Sequence, residues 1–222
     1  MLYWNTVDDL LHQALLTLMQ ASIFADFRLV GGTALSLHLG HRMSIDIDLF
    51  TDADYGSVDF EAVDQYLLDT FPFVQGDIGG LPGFGRAYLI GNSLAEHIKL
   101  DVYYSQEKFI HPIVKYNNVR LASIEEIIAM KIDVISRGGR KKDFWDLHEL
   151  LERYDFSQML ALHEERHPYV HDKTQVIANF ENFERADQDF DPICLRGKYW
   201  EFIKDDMIEA ARDYRNSTDG HN

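Results

Sequence analysis

Two aspartates one residue apart, Asp46 and Asp48, alternate with apolar side chains in Ile45-Asp46-Ile47-Asp48-Leu49-Phe50, and no other stretch limits the fold so sharply. Strand side chains point to opposite faces in turn, so the run reads as a half-buried strand. Ile45, Ile47 and Leu49 are expected in a core, with both carboxylates on the other face. Carboxylates at i and i+2 stand roughly 7 Å apart along a strand, close enough to serve two divalent cations about 4 Å apart. Upstream, Phe27-Arg28-Leu29-Val30-Gly31-Gly32-Thr33-Ala34-Leu35 reads as a short apolar strand, a tight turn and a helix start. A glycine turn opening a helix beside an acidic strand suits a nucleoside triphosphate with its magnesium ions.

At 222 residues the chain is long enough for one large domain or two small ones, and 46% hydrophobic with 13% aromatic residues is an ordinary globular composition. No apolar run is long enough to span a bilayer, and Met1-Leu2-Tyr3-Trp4-Asn5 lacks the basic region of a secretory signal. A soluble, cytoplasmic protein without membrane contact is therefore expected. Cys194 is the single cysteine, which excludes an internal disulfide framework and a cysteine-rich zinc site. The formal net charge of -16 disfavours non-specific tracking of nucleic-acid phosphates. Any RNA contact would have to use a local patch. Arg137-Gly138-Gly139-Arg140-Lys141-Lys142 is the candidate, and a solvated turn between helices explains it equally well.

Thr6 to about Ala21 reads as an amphipathic helix, with Val7, Leu10, Leu11, Ala14, Leu15, Leu18 and Met19 on its apolar face. Phe60 to Thr70 has helical spacing through Phe60, Val63, Leu67 and Leu68. A strand and an irregular loop follow. Arg86–Ile90 and Glu96–Tyr104 flank Gly91-Asn92, a hairpin signal. In the second of these strands Ile98, Leu100 and Val102 alternate with Lys99, Asp101 and Tyr103. Aspartate is disfavoured in strands, so Asp101 is either solvated or a third site carboxylate. The acidic pair upstream favours the second.

Beyond Val119 the chain looks mainly helical. Ser123-Ile124-Glu125-Glu126 is a capping-box sequence, and the helix it opens should end at Gly138-Gly139. A second helix carries Phe144, Leu147, Leu150 and Leu151, and shorter pieces are broken by His167-Pro168 and Asp191-Pro192. The expected division is a mixed core over 1–120 and a helical region over 121–222. His163, His167 and His171 recur every four residues, but Pro168 interrupts them, so they are expected on the surface.

Gly31-Gly32-Thr33-Ala34-Leu35 followed by His41-Arg42-Met43-Ser44-Ile45-Asp46-Ile47-Asp48-Leu49-Phe50 resembles the first motif of the AbiEii/AbiGii toxin family, within the DNA polymerase β-like nucleotidyltransferase superfamily. Ala129-Met130-Lys131, with Arg137, Lys142-Asp143 and Asp146-Leu147, resembles that family's second block on two adjacent helices. The resemblance implies an α+β nucleotidyltransferase fold: a short mixed sheet flanked by helices, then a helical C-terminal half closing the cleft. It implies magnesium-dependent transfer of a nucleoside monophosphate from a nucleoside triphosphate to an RNA acceptor, transfer RNA among the candidates, with pyrophosphate release. Members are toxins of toxin–antitoxin or abortive-infection systems, so a cognate antitoxin is an expected partner. A small-molecule or protein side-chain acceptor stays open, as does a catalytically silent nucleotide-binding regulatory module.

Under that resemblance Asp46 and Asp48 hold magnesium, and Asp101 ligates a second ion and acts as base toward the acceptor hydroxyl. Gly31 and Gly32 let the backbone approach the triphosphate, though a plain strand-to-helix turn also uses such a pair. Thr33 caps the helix or binds a phosphate oxygen, and Ser44 braces the strand or the phosphates. Arg42 neutralises phosphate charge or makes an ordinary salt bridge. Lys131 clamps an outer phosphate or reaches solvent along its own stem. Asp143 and Asp146 orient Lys131, Arg42 or the nucleotide base, or simply suit a helix N-terminus.

Overall fold

The computed structural model describes residues 1–81 and 83–219. Two compact units divide the chain, Met1–Ser123 and Ile124–Asn222. The first is built on a mixed sheet whose described strands are β1 (Arg28–Leu29), β2 (Asp46–Thr51), β3 (Phe73–Gly76), β4 (Gly85–Ser93), β5 (Glu96–Tyr104), β6 (Val114–Tyr116) and β7 (Val119–Leu121). Their order is β3-β4-β5-β2-β1-β7-β6. β2 and β5 run parallel at the centre, and β1 lies antiparallel to β2 and parallel to β7.

Helices α1 (Asp9–Gln20), α2 (Gly31–Leu39) and α3 (Phe60–Thr70) pack on this sheet. Asp8 caps α1 by accepting a 2.7 Å hydrogen bond from the Leu11 amide, so the helix starts at Asp9, three residues after the expected Thr6. Leu11, Leu15 and Leu18 on α1 meet Ile47, Leu49, Leu100 and Val102 in a core where each is fully buried. Arg120 on β7 donates to the carbonyls of Met19, Phe24 and Phe27 at 2.7–2.9 Å, tying the turn after α1 to the sheet.

Three sequence expectations need correction. Ile45 is 69% exposed, because β2 begins only at Asp46 and the alternation reaches the core through Ile47 and Leu49. Leu68 is 47% exposed, its place on α3 lying beyond the stripe made by Phe60, Val63 and Leu67. The hairpin turn is at Leu94-Ala95 rather than Gly91-Asn92, which lies within β4. Gly91 sits at a register shift where an added Cβ would press on the Glu96 carbonyl, so glycine here serves a bulge. A second hairpin, β6–β7, turns through Asn117 at φ 53°, a left-handed position that asparagine tolerates.

The second unit contains α4 (Ile124–Ser136), α5 (Lys141–His148), α6 (Phe156–Arg166), α7 (Lys173–Phe180) and α8 (Trp200–Asp219). Gly138 at φ 84° ends the turn after α4. Phe144, Phe183 and Trp200 form one aromatic cluster, and Phe156 with Phe180 another. Buried charges are matched: Arg166 donates to Glu126, and Arg196 and Lys198 both pair with Glu149. His163 and His167 are buried, contrary to the surface expectation. α6 runs to Arg166 with His167 as its C-cap, so Pro168 acts one residue too late to separate the two rings. No helix among the described residues is long and apolar enough to cross a membrane.

Candidate active site

In β2 the burial pattern alternates, with Ile47, Leu49 and Thr51 buried and Asp46, Asp48 and Phe50 on the more open face. β5 alternates in step, burying Ile98, Leu100 and Val102 and leaving Lys99, Asp101 and Tyr103 opposite. The two strands are paired so that Asp46 lies beside Lys99 and Asp48 beside Asp101. Residues level with one another on adjacent parallel strands project to the same side. All three strand carboxylates therefore share one face of the sheet centre, together with Lys99.

Three acids on one surface repel unless a cation sits among them. Lys99 supplies one: its Nζ lies 2.5 Å from Asp101 Oδ2. Burial works to lower the Lys99 pKa, but Asp101 and, at longer range, Asp48 and Asp46 outweigh it and hold the ammonium above its ordinary value. Tyr103 is pushed up by burial and by Asp101. The second oxygen of Asp101, Oδ1, is buried and has no hydrogen-bond partner among the described residues. A buried carboxylate oxygen in that state fits a cation ligand. Hard oxygen donors on one face are the donor set magnesium prefers. Lys99 carried no assignment from sequence, although its place two residues before Asp101 on a strand puts the two side by side.

The glycine turn meets the same face. Gly31 opens α2 at φ 67°, and a Cβ there would lie 2.7 Å from Asp48 Oδ2. Only glycine combines that backbone with so close an approach of the carboxylate. A Cβ on Gly32 would strike the guanidinium of Arg42, which is buried and donates to the Met43 carbonyl at 2.9 Å. Thr33 is buried, its hydroxyl 2.8 Å from the Ser44 hydroxyl and bonded to the Asp46 carbonyl. The Val30 amide donates to the Asp48 carbonyl at 2.9 Å. Gly31, Gly32, Thr33, Arg42 and Ser44 thus lock the start of α2 against the acidic strand.

The remaining candidates, Lys131, Asp143 and Asp146, form a buried cluster within the helical unit. Lys131 on α4 reaches Asp143 at 2.7 Å and Asp146 at 2.8 Å, both on α5, with all three residues no more than 5% exposed. Asp143 also accepts from the Arg140 amide at 3.0 Å, closing the first turn of α5. The proposed basic patch is largely matched within the same unit. Arg137 pairs with Asp133, Arg140 with Asp189 at 3.5 Å, and Lys141 with Asp191 at 2.8 Å.

A family model described as nucleotidyl transferase AbiEii toxin, type IV toxin–antitoxin system, matches residues 13–219. The protein aq_aa25 of Aquifex aeolicus is 25% identical over 213 residues, covering 91% of this chain and 94% of its own. Among solved structures, JHP933 from Helicobacter pylori superposes with a TM-score of 0.57 at 16% identity, over 95% of this chain and 93% of that one. MenT4, a nucleotidyltransferase toxin from Mycobacterium tuberculosis, gives a TM-score of 0.54 at 18% identity, over 90% and 80%. The fold shared with these structures is the nucleotidyltransferase fold.

Proposed function

Because this chain belongs to the nucleotidyl transferase AbiEii toxin family of type IV toxin–antitoxin systems, we propose that it moves a nucleoside monophosphate from a nucleoside triphosphate to the end of an RNA, using Asp46, Asp48 and Asp101 as the reaction centre. The observation that carries this is the level pairing of Asp48 with Asp101 across parallel strands, with an unpartnered Asp101 oxygen beside them. Asp46, Asp48 and Asp101 would hold magnesium, which when bound neutralises the triphosphate and orients its α-phosphate. The acceptor hydroxyl oxygen attacks the α-phosphorus, the bond to the bridging oxygen of the β-phosphate breaks, and pyrophosphate departs. The hydroxyl proton passes to the Asp101 carboxylate.

The diglycine bend brings backbone N–H groups at the start of α2 toward the phosphates. Thr33 and Ser44 hold that bend to β2, and Arg42 adds positive charge behind it. Lys99 balances the carboxylates before substrate arrives and gives way as the cations bind. Lys131, held by Asp143 and Asp146, forms a buried ion cluster inside the helical unit.

The test is label transfer from an α-labelled nucleoside triphosphate to a panel containing bulk RNA, purified transfer RNA, protein and small aminoglycoside-like acceptors. Wild-type protein should label RNA, and Asp48→Asn should label nothing. Labelling of protein or a small molecule instead would reassign the acceptor. Equal labelling by wild type and Asp48→Asn would remove the acidic face from the chemistry. Co-expression with the neighbouring gene, scored by relief of growth arrest, identifies the antitoxin.

A further inference from the structure

A second group of metal-type donors lies in the helical unit, on residues the transfer chemistry does not use. Asp133 is on α4, His163 is in the last turn of α6, and His167 caps that helix four residues on. One carboxylate oxygen and one nitrogen from each ring lie within 4.8 Å of one another. His163 is 1% exposed and His167 8%. Nε2 of each is buried with no hydrogen-bond partner among the described residues. Asp133 divides its two oxygens: Oδ2 takes Arg137, while Oδ1 lies 3.8 Å from His163 Nε2, too far for a hydrogen bond.

The other side of His163 fixes its ring. Its Nδ1 is 2.7 Å from Nδ1 of His171, and two ring nitrogens at that distance must share one proton. With the proton on His163 Nδ1, its Nε2 presents a lone pair toward Asp133 and His167. A neutral imidazole whose far nitrogen donates to a polar partner is the usual form of a metal-ligating histidine.

We propose that Asp133, His163 and His167 form a site for a divalent transition metal, zinc being the best match, with His171 as the outer group that orients His163. Two imidazoles and one carboxylate suit zinc and not magnesium or calcium, which prefer all-oxygen sets. Zinc–nitrogen bonds of about 2.0–2.1 Å in a tetrahedron place donors ~3.3 Å apart, so the three groups close by small side-chain rotations. Asp133, with its side chain 17% exposed, marks the entry side and leaves the fourth position to water. His163-Glu164-Glu165-Arg166-His167 has the spacing of a zinc-peptidase helix, but Glu164, where the general base would stand, is exposed. The site therefore holds α4 to the end of α6 rather than hydrolysing a bond.

The experiment uses the full chain, stripped with chelator and titrated with cobalt(II) as a visible probe and with zinc. One cobalt per chain with the strong visible bands of four-coordination is expected, retained by Asp48→Asn and lost in an Asp133→Asn/His167→Gln variant. Metal should raise the Tm of the wild type and leave that of the double variant unmoved. Because the double variant can also fail by misfolding, the wild type is followed by histidine-ring nitrogen NMR. Zinc should displace the Nε2 signals of two histidines while the protein stays folded. No cobalt spectrum, or one unchanged in a folded double variant, overturns the site. So do ring signals indifferent to zinc. None of these outcomes bears on nucleotide transfer, which is read separately through Asp48.

Discussion

In the proposed transfer Asp101 is the residue to test first, because one of its oxygens is already tied to Lys99 and the other is buried without a donor. Asp101→Asn keeps size and shape but removes the charge. It should leave Tm within a degree or two while kcat falls by about 10²–10⁴-fold, checked by label-transfer kinetics beside thermal melting. Gly31→Ala tests the bend. Its left-handed backbone costs about 1–2 kcal/mol for a residue with a Cβ, and that Cβ would displace the Asp48 carboxylate. Transfer should drop on the order of 10²-fold, more than the stability loss explains. The acidic pair was legible in the chain because strand alternation is local. Lys99 was not given a role, since a lysine in a strand says nothing until the neighbouring strand supplies Asp46 and Asp48 in range.

Among elements, the clasp between α4 and α5 is the Lys131–Asp143–Asp146 cluster. Removing the ammonium leaves two buried carboxylates facing each other. Lys131→Met should cost about 3–5 kcal/mol in urea unfolding; an unchanged midpoint would show the cluster to be solvated. α5 is also fastened to α8 by His148, which receives a 3.0 Å bond from Lys198 at Nδ1 and gives one of 2.7 Å to Asp206 from Nε2. Those bonds describe a neutral ring, and burial lowers its pKa accordingly. The unfolded chain takes up a proton near pH 6.5 that the folded ring resists. Stability is therefore lost as pH falls below 6.5, by at most about 1.4 kcal/mol per pH unit from this group. His148→Gln should flatten that part of the stability–pH curve. Helix identity was readable from apolar spacing, as α3 shows, whereas the Gly91-Asn92 signal misled because glycine served a bulge and not a turn. Strand register between β2 and β5, fifty residues apart in the chain, lies beyond any local pattern.

For the molecule as a whole, a net charge of -16 sets the terms on which it would meet the proposed RNA acceptor. Arg137, Arg140 and Lys141 are already paired with aspartates, so this basic run is partly neutralised before it meets a phosphate backbone. Log–log plots of RNA affinity against salt should then be shallow, with a slope no steeper than about -1 to -2, since each neutralised single-strand phosphate contributes about -0.7. A steep slope would reveal a basic surface that the ion pairs only mask.

Lys99 also decides how the protein behaves before it works. A centre that carries its own placeholder for a metal needs no ion to become folded. Under the proposed chemistry, withdrawing magnesium should stop label transfer without lowering Tm, and adding it back should restore transfer with no refolding delay.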